Sequence, residues 1–296
     1  MSRLTSVLLV TISKLFLSLA LALELKPVKE YSYQDGIPFR KPTSLCKMGD
    51  ELLVTDTGGA VFVLKDDDWD FFVFENVFPA QPLGIACFPS RKTLCISDGY
   101  TRRVFCYDEK GKLLITLGPK QGLKRPTGLA ADDERGVLAV VDTAGHRVFL
   151  FDLTGKLLKS VGRRGEQAGE FNYPTNATFS KDGRFLVVSD TLNFRVQVLT
   201  RDGGYVLSFG GPGDAPGFFG RPRGVAVDGG GRIFVADGAF SVVHVFTPGG
   251  KFLTYAGVPG TEKGELLLPM GVFIENDLLF VADQMNRKVV IFKIQR

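Results

Sequence analysis

Six recurrences of one strand-and-turn pattern, in a chain that ends one strand short, predict an all-β fold: a six-bladed β-propeller whose ring is closed by an N-terminal strand. The first landmark is an acid ending one apolar run and a base opening the next, five residues later. It stands at Asp98 and Arg103, Asp142 and Arg147, Asp190 and Arg195, and Asp283 and Lys288. The second landmark is Pro-x-Gly, at Pro82, Pro126, Pro222 and Pro269, with Ser44 and Asn176 replacing the glycine after Pro42 and Pro174. Successive prolines lie about 40–48 residues apart, the period of propeller blades.

In chain order the first element is a leader. "MSRLTSVLLVTISKLFLSLALALELKP" carries Arg3, then two apolar runs split by Lys14; residues 15–23 suit a signal-peptide core, and Ala20-Leu21-Ala22 is an A-x-A cleavage site. The expected division is a signal peptide over 1–22 and a single propeller domain over 23–296, hence a secreted or periplasmic protein. The rival is an N-terminal membrane anchor, which would place Lys14 in the bilayer at considerable cost. No cysteine follows the apolar run to take a lipid, and no second apolar stretch is long enough to span a membrane. Losing Arg3 and Lys14 with the leader lowers the formal charge from +4 to +2. That near-neutral balance argues against a global nucleic-acid binder and permits a local basic patch.

Next comes "LKPVKEYSYQDG", over 25–36, with no strands A to C before it. The last repeat ends at "KVVIFKIQR", with strands A, B and C but no D. The N-terminal segment therefore supplies the missing strand, and Pro27 is tolerated there because an outermost strand has one unpaired edge. Each complete repeat reads as four strands. In the fifth they are "RGVAVD", "IFVADG", "SVVHVFT" and "KFLTYAG", short runs rich in Val, Phe and Ile bounded by turn residues. Many are apolar on both faces, so the blades must stack. The glycine two residues after proline lets the inner strands crowd the channel. The aspartate is expected to accept backbone N–H bonds in the B–C turn and to pair with its base. Repeats one and five keep Asp56 and Asp237 but have Val61 and Val242 at the base position, so the pair reads as structural rather than catalytic.

Cys46, Cys87, Cys95 and Cys106 lie in strand-like runs without C-x-x-C or haem-attachment spacing. They read first as small buried hydrophobes. Export would permit oxidation, with Cys95 and Cys106, on adjacent strands, the favoured pair.

Stretches such as "GRRGEQAGEFNYPTNATF" and "RPTGLAADDERGVLAVVDTAGHRVFLFD" resemble NHL repeats, whose pattern runs Pro-x-Gly-Val, Val-Ala-Asp, Asn-His-Arg-Val. Here the last motif reads Asn193-Phe194-Arg195-Val196, Gly145-His146-Arg147-Val148 and Asn286-Arg287-Lys288-Val289. The resemblance covers roughly residues 37–296 and departs most in the first repeat, "TDTGGAVFVL". It implies a propeller of a family made mostly of scaffolds that bind proteins, RNA or other ligands.

The D–A loops and B–C turns share one face. Residues before each proline, including Lys41, Arg125, Tyr173 and Arg221, should ring the channel mouth, with Lys124 beside them and Arg223 just inside. Arg102, His146, Phe194, Phe240 and Arg287 lie farther out on the B–C turns. The family pattern makes Phe171 and Phe219, the phenylalanines ahead of strand A, core residues. A basic, aromatic-bearing face suits docking of a protein or an anionic polysaccharide. Related propellers include metal-dependent lyases and lactonases, which need converging His or acid ligands. This chain has two histidines, His146 and His244, in different repeats. Gly-x-Ser-x-Gly, Walker and dinucleotide fingerprints are absent. Asn176-Ala177-Thr178 matches a glycosylation sequon but opens a channel strand, so it reads as chance. The expectation is a monomeric, non-catalytic scaffold without metal or cofactor. The alternatives are a propeller enzyme of lyase or lactonase type with its site at the channel mouth, or an RNA-binding domain if the protein is cytosolic; export would remove access to RNA.

Overall fold

The computed structural model describes residues 23–32 and 36–295. Six antiparallel four-stranded sheets stand as the blades of a six-bladed β-propeller, spanning 42–71, 82–117, 126–161, 176–210, 222–256 and 269–295. The sixth is completed by the N-terminal strand Glu24–Ser32, which pairs with Lys288–Gln295. Glu24 lies opposite Gln295 and Ser32 opposite Lys288, with a register shift between Pro27 and Lys29. The missing proline N–H is thus placed at an irregularity on an outer strand. The expected signal peptide lies outside the described residues.

Burial follows the order of strands within a blade. In the third, strand B (Val137–Asp142) is buried throughout, while strand D (Leu157–Val161) is exposed except at Val161. Apolar side chains meet between blades. At the closing seam Tyr31 and Phe39 pack edge-on against Trp69, with ring centroids 5.3 and 5.1 Å away. Such packing of large rings adds specificity to non-directional burial.

Hydroxyls tie blades one to five each to the next on one face. Thr55 Oγ1 donates to the Leu83 carbonyl at 2.8 Å, Thr143 Oγ1 to that of Pro174 at 2.7 Å, Thr191 Oγ1 to that of Pro222 at 2.8 Å, and Ser241 Oγ to that of Leu267 at 2.6 Å. Ser97 makes the corresponding bond to Thr127. The landmark glycines fit the same crowding. A Cβ on Gly84 would stand 2.2 Å from the Thr127 carbonyl oxygen, and one on Gly224 2.6 Å from that of Met270. Backbone cannot yield that far, so a side chain there would displace a neighbouring blade.

The repeated acid–base pair is not a repeated ion pair. Only Asp190 and Arg195 are joined among the four, at 2.9 Å. Arg103 donates to the Thr101 carbonyl at 3.3 Å and Arg147 to that of Gly145 at 3.1 Å. Lys288 reaches Glu30 of the closing strand at 3.2 Å and the Glu262 carbonyl at 2.9 Å instead of Asp283. What recurs is a carboxylate accepting N–H groups from the residues just before strand A of its own blade. Asp98 takes Ala80 N–H at 2.6 Å, Asp142 takes Arg125 at 2.6 Å, and Asp283 takes Leu268 at 2.8 Å. Each buried acid therefore clamps the D–A loop onto the B–C turn. The base is free to serve its own surroundings, because the amide donors already stabilise the charge.

The cysteines also differ from the first expectation of free buried thiols. Cys95 is bonded to Cys106 across two strands of blade two, and Cys46 to Cys87 across the inner strands of blades one and two. The second link crosses between repeats, where separation along the chain gave no cue.

Candidate functional site

The channel has two ends of unlike chemistry. The wider basin, about 570 Å³, opens on the face of the A–B turns. Its walls are apolar strand-A residues such as Ile85, Ala130 and Val225, and its rim carries Lys47, Asp132, Glu134 and Glu275. Of the rim charges, which also include Asp133 and Lys181, all but Lys181 are bonded among the described residues, Asp133 by Ser90. Lys47 bonds Glu275 at 2.5 Å, and Arg135 bonds both Asp132 at 3.4 Å and Glu134 at 3.2 Å.

The opposite end is a throat of about 150 Å³ reached from the D–A and B–C face. All six blades contribute to it. Blades three, four and five present Arg125, Asn176 and Arg223 in succession, while blades two and six present Leu83 and Met270. Ser44, from blade one, lies across the ring from Asn176. The narrower end is the candidate site because its charges are not internally balanced. Among the described residues, Arg125, Arg221 and Arg223 form no salt bridge, and Arg223 Nε is buried without a hydrogen-bond partner. Burial, then the neighbouring Arg221 and Arg125, pull the Arg223 guanidinium below its ordinary pKa, against the opposite pull of Asp237. Arginine stays charged under such pressure, so the repulsion is carried by the fold.

Local structure holds these cations in place. The Arg125 amide is bound by Asp142 at 2.6 Å and the Arg221 amide by Asp237 at 2.9 Å, so both backbones are fixed while the side chains remain exposed. The carboxylate clamp thus positions basic residues at the mouth rather than neutralising them. Pro126 and Pro222 then start the inner strands.

The remaining sequence candidates spread over the face. His146 Nδ1 accepts the Tyr173 amide at 3.2 Å, and the two rings meet edge-on at 4.5 Å. Burial, followed by Arg164 and Lys124 among the lowering charges, moves the His146 pKa down, which suits its acceptor role. Arg102, His146, Phe194 and Arg287 occupy the same turn position, with φ of 57°, 55°, 53° and 53°. Arg102 and Arg287 are exposed there, Phe194 is half-buried, and the Phe240 ring lies over Gly220. Lys41, Lys124 and Tyr173 are exposed, but only Arg125 and Arg223 of the named candidates line the throat. Phe171 and Phe219 are fully buried, and each plugs a folded-back D–A loop. Asn176, Ser44, Leu83 and Met270 escaped the sequence reading as site residues. The available signal was the interruption of glycine at two positions three repeats apart. Among the described residues, no group of three or more His, Cys, Asp or Glu side chains is arranged to hold a metal ion.

No family model matches the sequence, and neither does any curated protein. Solved structures match the fold. A protein of unknown function from Bacteroides thetaiotaomicron superposes with a TM-score of 0.69 at 14% identity, over 92% of this chain and 72% of that one. An auxiliary nutrient binding protein from the same organism gives 0.69 at 11% identity, over 92% and 73%. A virginiamycin B lyase from Staphylococcus aureus gives 0.64 at 13% identity, over 92% and 100%. At these identities the likeness is one of fold.

Proposed function

We propose that this chain is an exported, NHL-type binding propeller that docks an anionic partner, an acidic protein segment or a polysaccharide, on its D–A and B–C face. The observation that carries the reading is the convergence of Arg125 and Arg223 in the throat, with Arg221 beside Arg223, all three without an ion-pair partner among the described residues. Unpaired cations on a rigid frame are costly alone and favourable to an anion, because their arrangement is settled before binding. The flanking Phe194, Phe218 and Tyr173 offer partly exposed apolar surface around that charge. Two disulfides agree with an oxidising compartment and so support export. The binding reading has a site with a chemical demand, whereas the lyase reading rests on likeness of fold.

The test is a binding titration with polygalacturonate and, separately, polyglutamate, using the native protein and Arg125→Glu/Arg221→Glu. Saturable binding to at least one probe is expected, weakening with added salt and falling at least about tenfold in the double variant. Absence of binding to both probes, or equal binding by both proteins, overturns the reading.

A further inference from the structure

The throat is two-sided, and its two sides together describe a ligand. Arg125, Asn176 and Arg223 come from three consecutive blades and form one arc. Leu83 and Met270, from blades two and six, form an apolar arc beside Ser44. The Asn176 amide and the Ser44 hydroxyl carry no side-chain hydrogen bond within the described residues. Their place in the repeat makes this notable. The other four repeats have glycine there, at Gly84, Gly128, Gly224 and Gly271. A Cβ on Gly128 would stand 2.6 Å from Asn176 Cα, and one on Gly271 2.3 Å from the Thr43 carbonyl oxygen. Glycine therefore answers a packing demand in those blades, while blades one and four put a polar side chain where the ring is tightest.

We propose that the throat is a socket for a short organic carboxylate, its oxygens bound by Arg125, Arg223 and Asn176 and its apolar stem lying against Leu83 and Met270. The inference rests on the anionic-partner reading and narrows it to one functional group. Size supports the narrowing: a cavity of about 150 Å³ is on the scale of a benzene-sized guest, about six non-hydrogen atoms. A carboxylate there meets two guanidiniums from different blades and one amide donor, and charge-assisted bonds in a partly desolvated site are the stronger kind. The apolar arc gives no partner to an oxyanion without a stem, such as sulfate, which separates the socket from a generic anion patch. The same carboxylate chemistry has two sources: a free small acid, or the side chain of an acidic protein segment.

Butyrate, acetate, sulfate and polyglutamate distinguish these. The Arg223 Nε–H resonance is followed by NMR during titration at constant ionic strength, with sodium chloride as the reference. Butyrate is expected to shift it saturably and more tightly than acetate or sulfate. Arg223→Gln should weaken butyrate about 10- to 100-fold, and Asn176→Gly about fivefold; the butyrate affinity of each variant is read from throat backbone amides. Should Arg223→Gln fail to fold, Asn176→Gly carries the test, since it installs the residue that four repeats already hold there. Polyglutamate losing affinity in Asn176→Gly in parallel with butyrate identifies a peptide side chain as an occupant; polyglutamate binding insensitive to that change leaves the free acid as the occupant. No saturable butyrate shift beyond chloride, or a shift unaltered in both variants, overturns the socket. Native polyglutamate binding in that same case leaves the broader docking face standing, whereas loss of binding to both polyanions removes the face itself.

Discussion

Blades four and five solve one problem with different means. In blade four the buried Asp190 takes one backbone N–H, from Asn172 at 2.6 Å, and three side-chain donors: Asn193 at 2.8 Å, Arg195 at 2.9 Å and Gln197 at 3.2 Å. In blade five Asp237 takes four backbone N–H groups, from Gly220 at 2.7 Å, Arg221 at 2.9 Å, Ala239 at 2.9 Å and Phe240 at 3.2 Å. No base stands beside it in sequence, and His244 occupies the place of Gln197 with Nε2 3.8 Å away. The difference shows that the fold requires a filled acceptor at the turn, not a cation. Even with Arg195 present, burial outweighs its attraction and holds the Asp190 carboxyl above its ordinary pKa.

The contrast can be broken most severely at the acids. Asp237→Ala should cost about 3–5 kcal/mol, because it strands backbone amides that cannot turn away. Asp190→Ala should cost less, about 2–3 kcal/mol, since most of its donors are side chains able to reach solvent. Denaturant unfolding of both variants ranks them; an equal or reversed order would remove the distinction between backbone and side-chain satisfaction.

A second effect belongs to His244, buried among aromatic rings with neither nitrogen hydrogen-bonded. Burial lowers its pKa to about 4 against the opposing pull of Asp237. In the unfolded chain the proton binds near pH 6.5. The stability contributed by neutral His244 is therefore fully present above pH 6.5 and is lost as pH falls toward 4. A gap of about 2–3 units corresponds to about 3 kcal/mol. His244→Gln, which transfers the blade-four side chain, should flatten Tm between pH 6.5 and 4. Identical pH profiles would show that the histidine is not the sensitive group.

The smallest test transfers the other feature. Arg195→Val copies the residue found at position 242 and removes bonds to Asp190, Gln167 O and Glu170 O. The expected loss is about 1–2 kcal/mol, measured by chemical unfolding. A loss matching that of Asp190→Ala would make the base as necessary as the acid.

The repeat was readable because its demands are local. Proline, glycine and aspartate each satisfy backbone geometry within one blade or toward its neighbour, and those residues recur. Ring closure was equally legible, since a repeat lacking strand D and an N-terminal strand lacking A to C complete one another. The partners of Arg195 and Lys288 were not, because they depend on how a D–A loop folds back. Lys288 turns to Glu30, more than two hundred residues away in the chain. The throat was half legible. Arg125 and Arg223 stood out by charge, but Leu83 and Met270 are ordinary apolar residues until the ring brings them opposite the arginines.

The closing strand also sets how the ring would respond to force. Glu24 and Gln295 are neighbours at one end of an antiparallel pair. Tension applied through these two residues would load the ladder one hydrogen bond at a time, like a zipper, rather than shearing all of them together. The ring therefore has a mechanically weak seam between a buried strand and a largely exposed one, whereas blades one and two are riveted to each other by a covalent bond between Cys46 and Cys87. A pull at the seam would open blade six first.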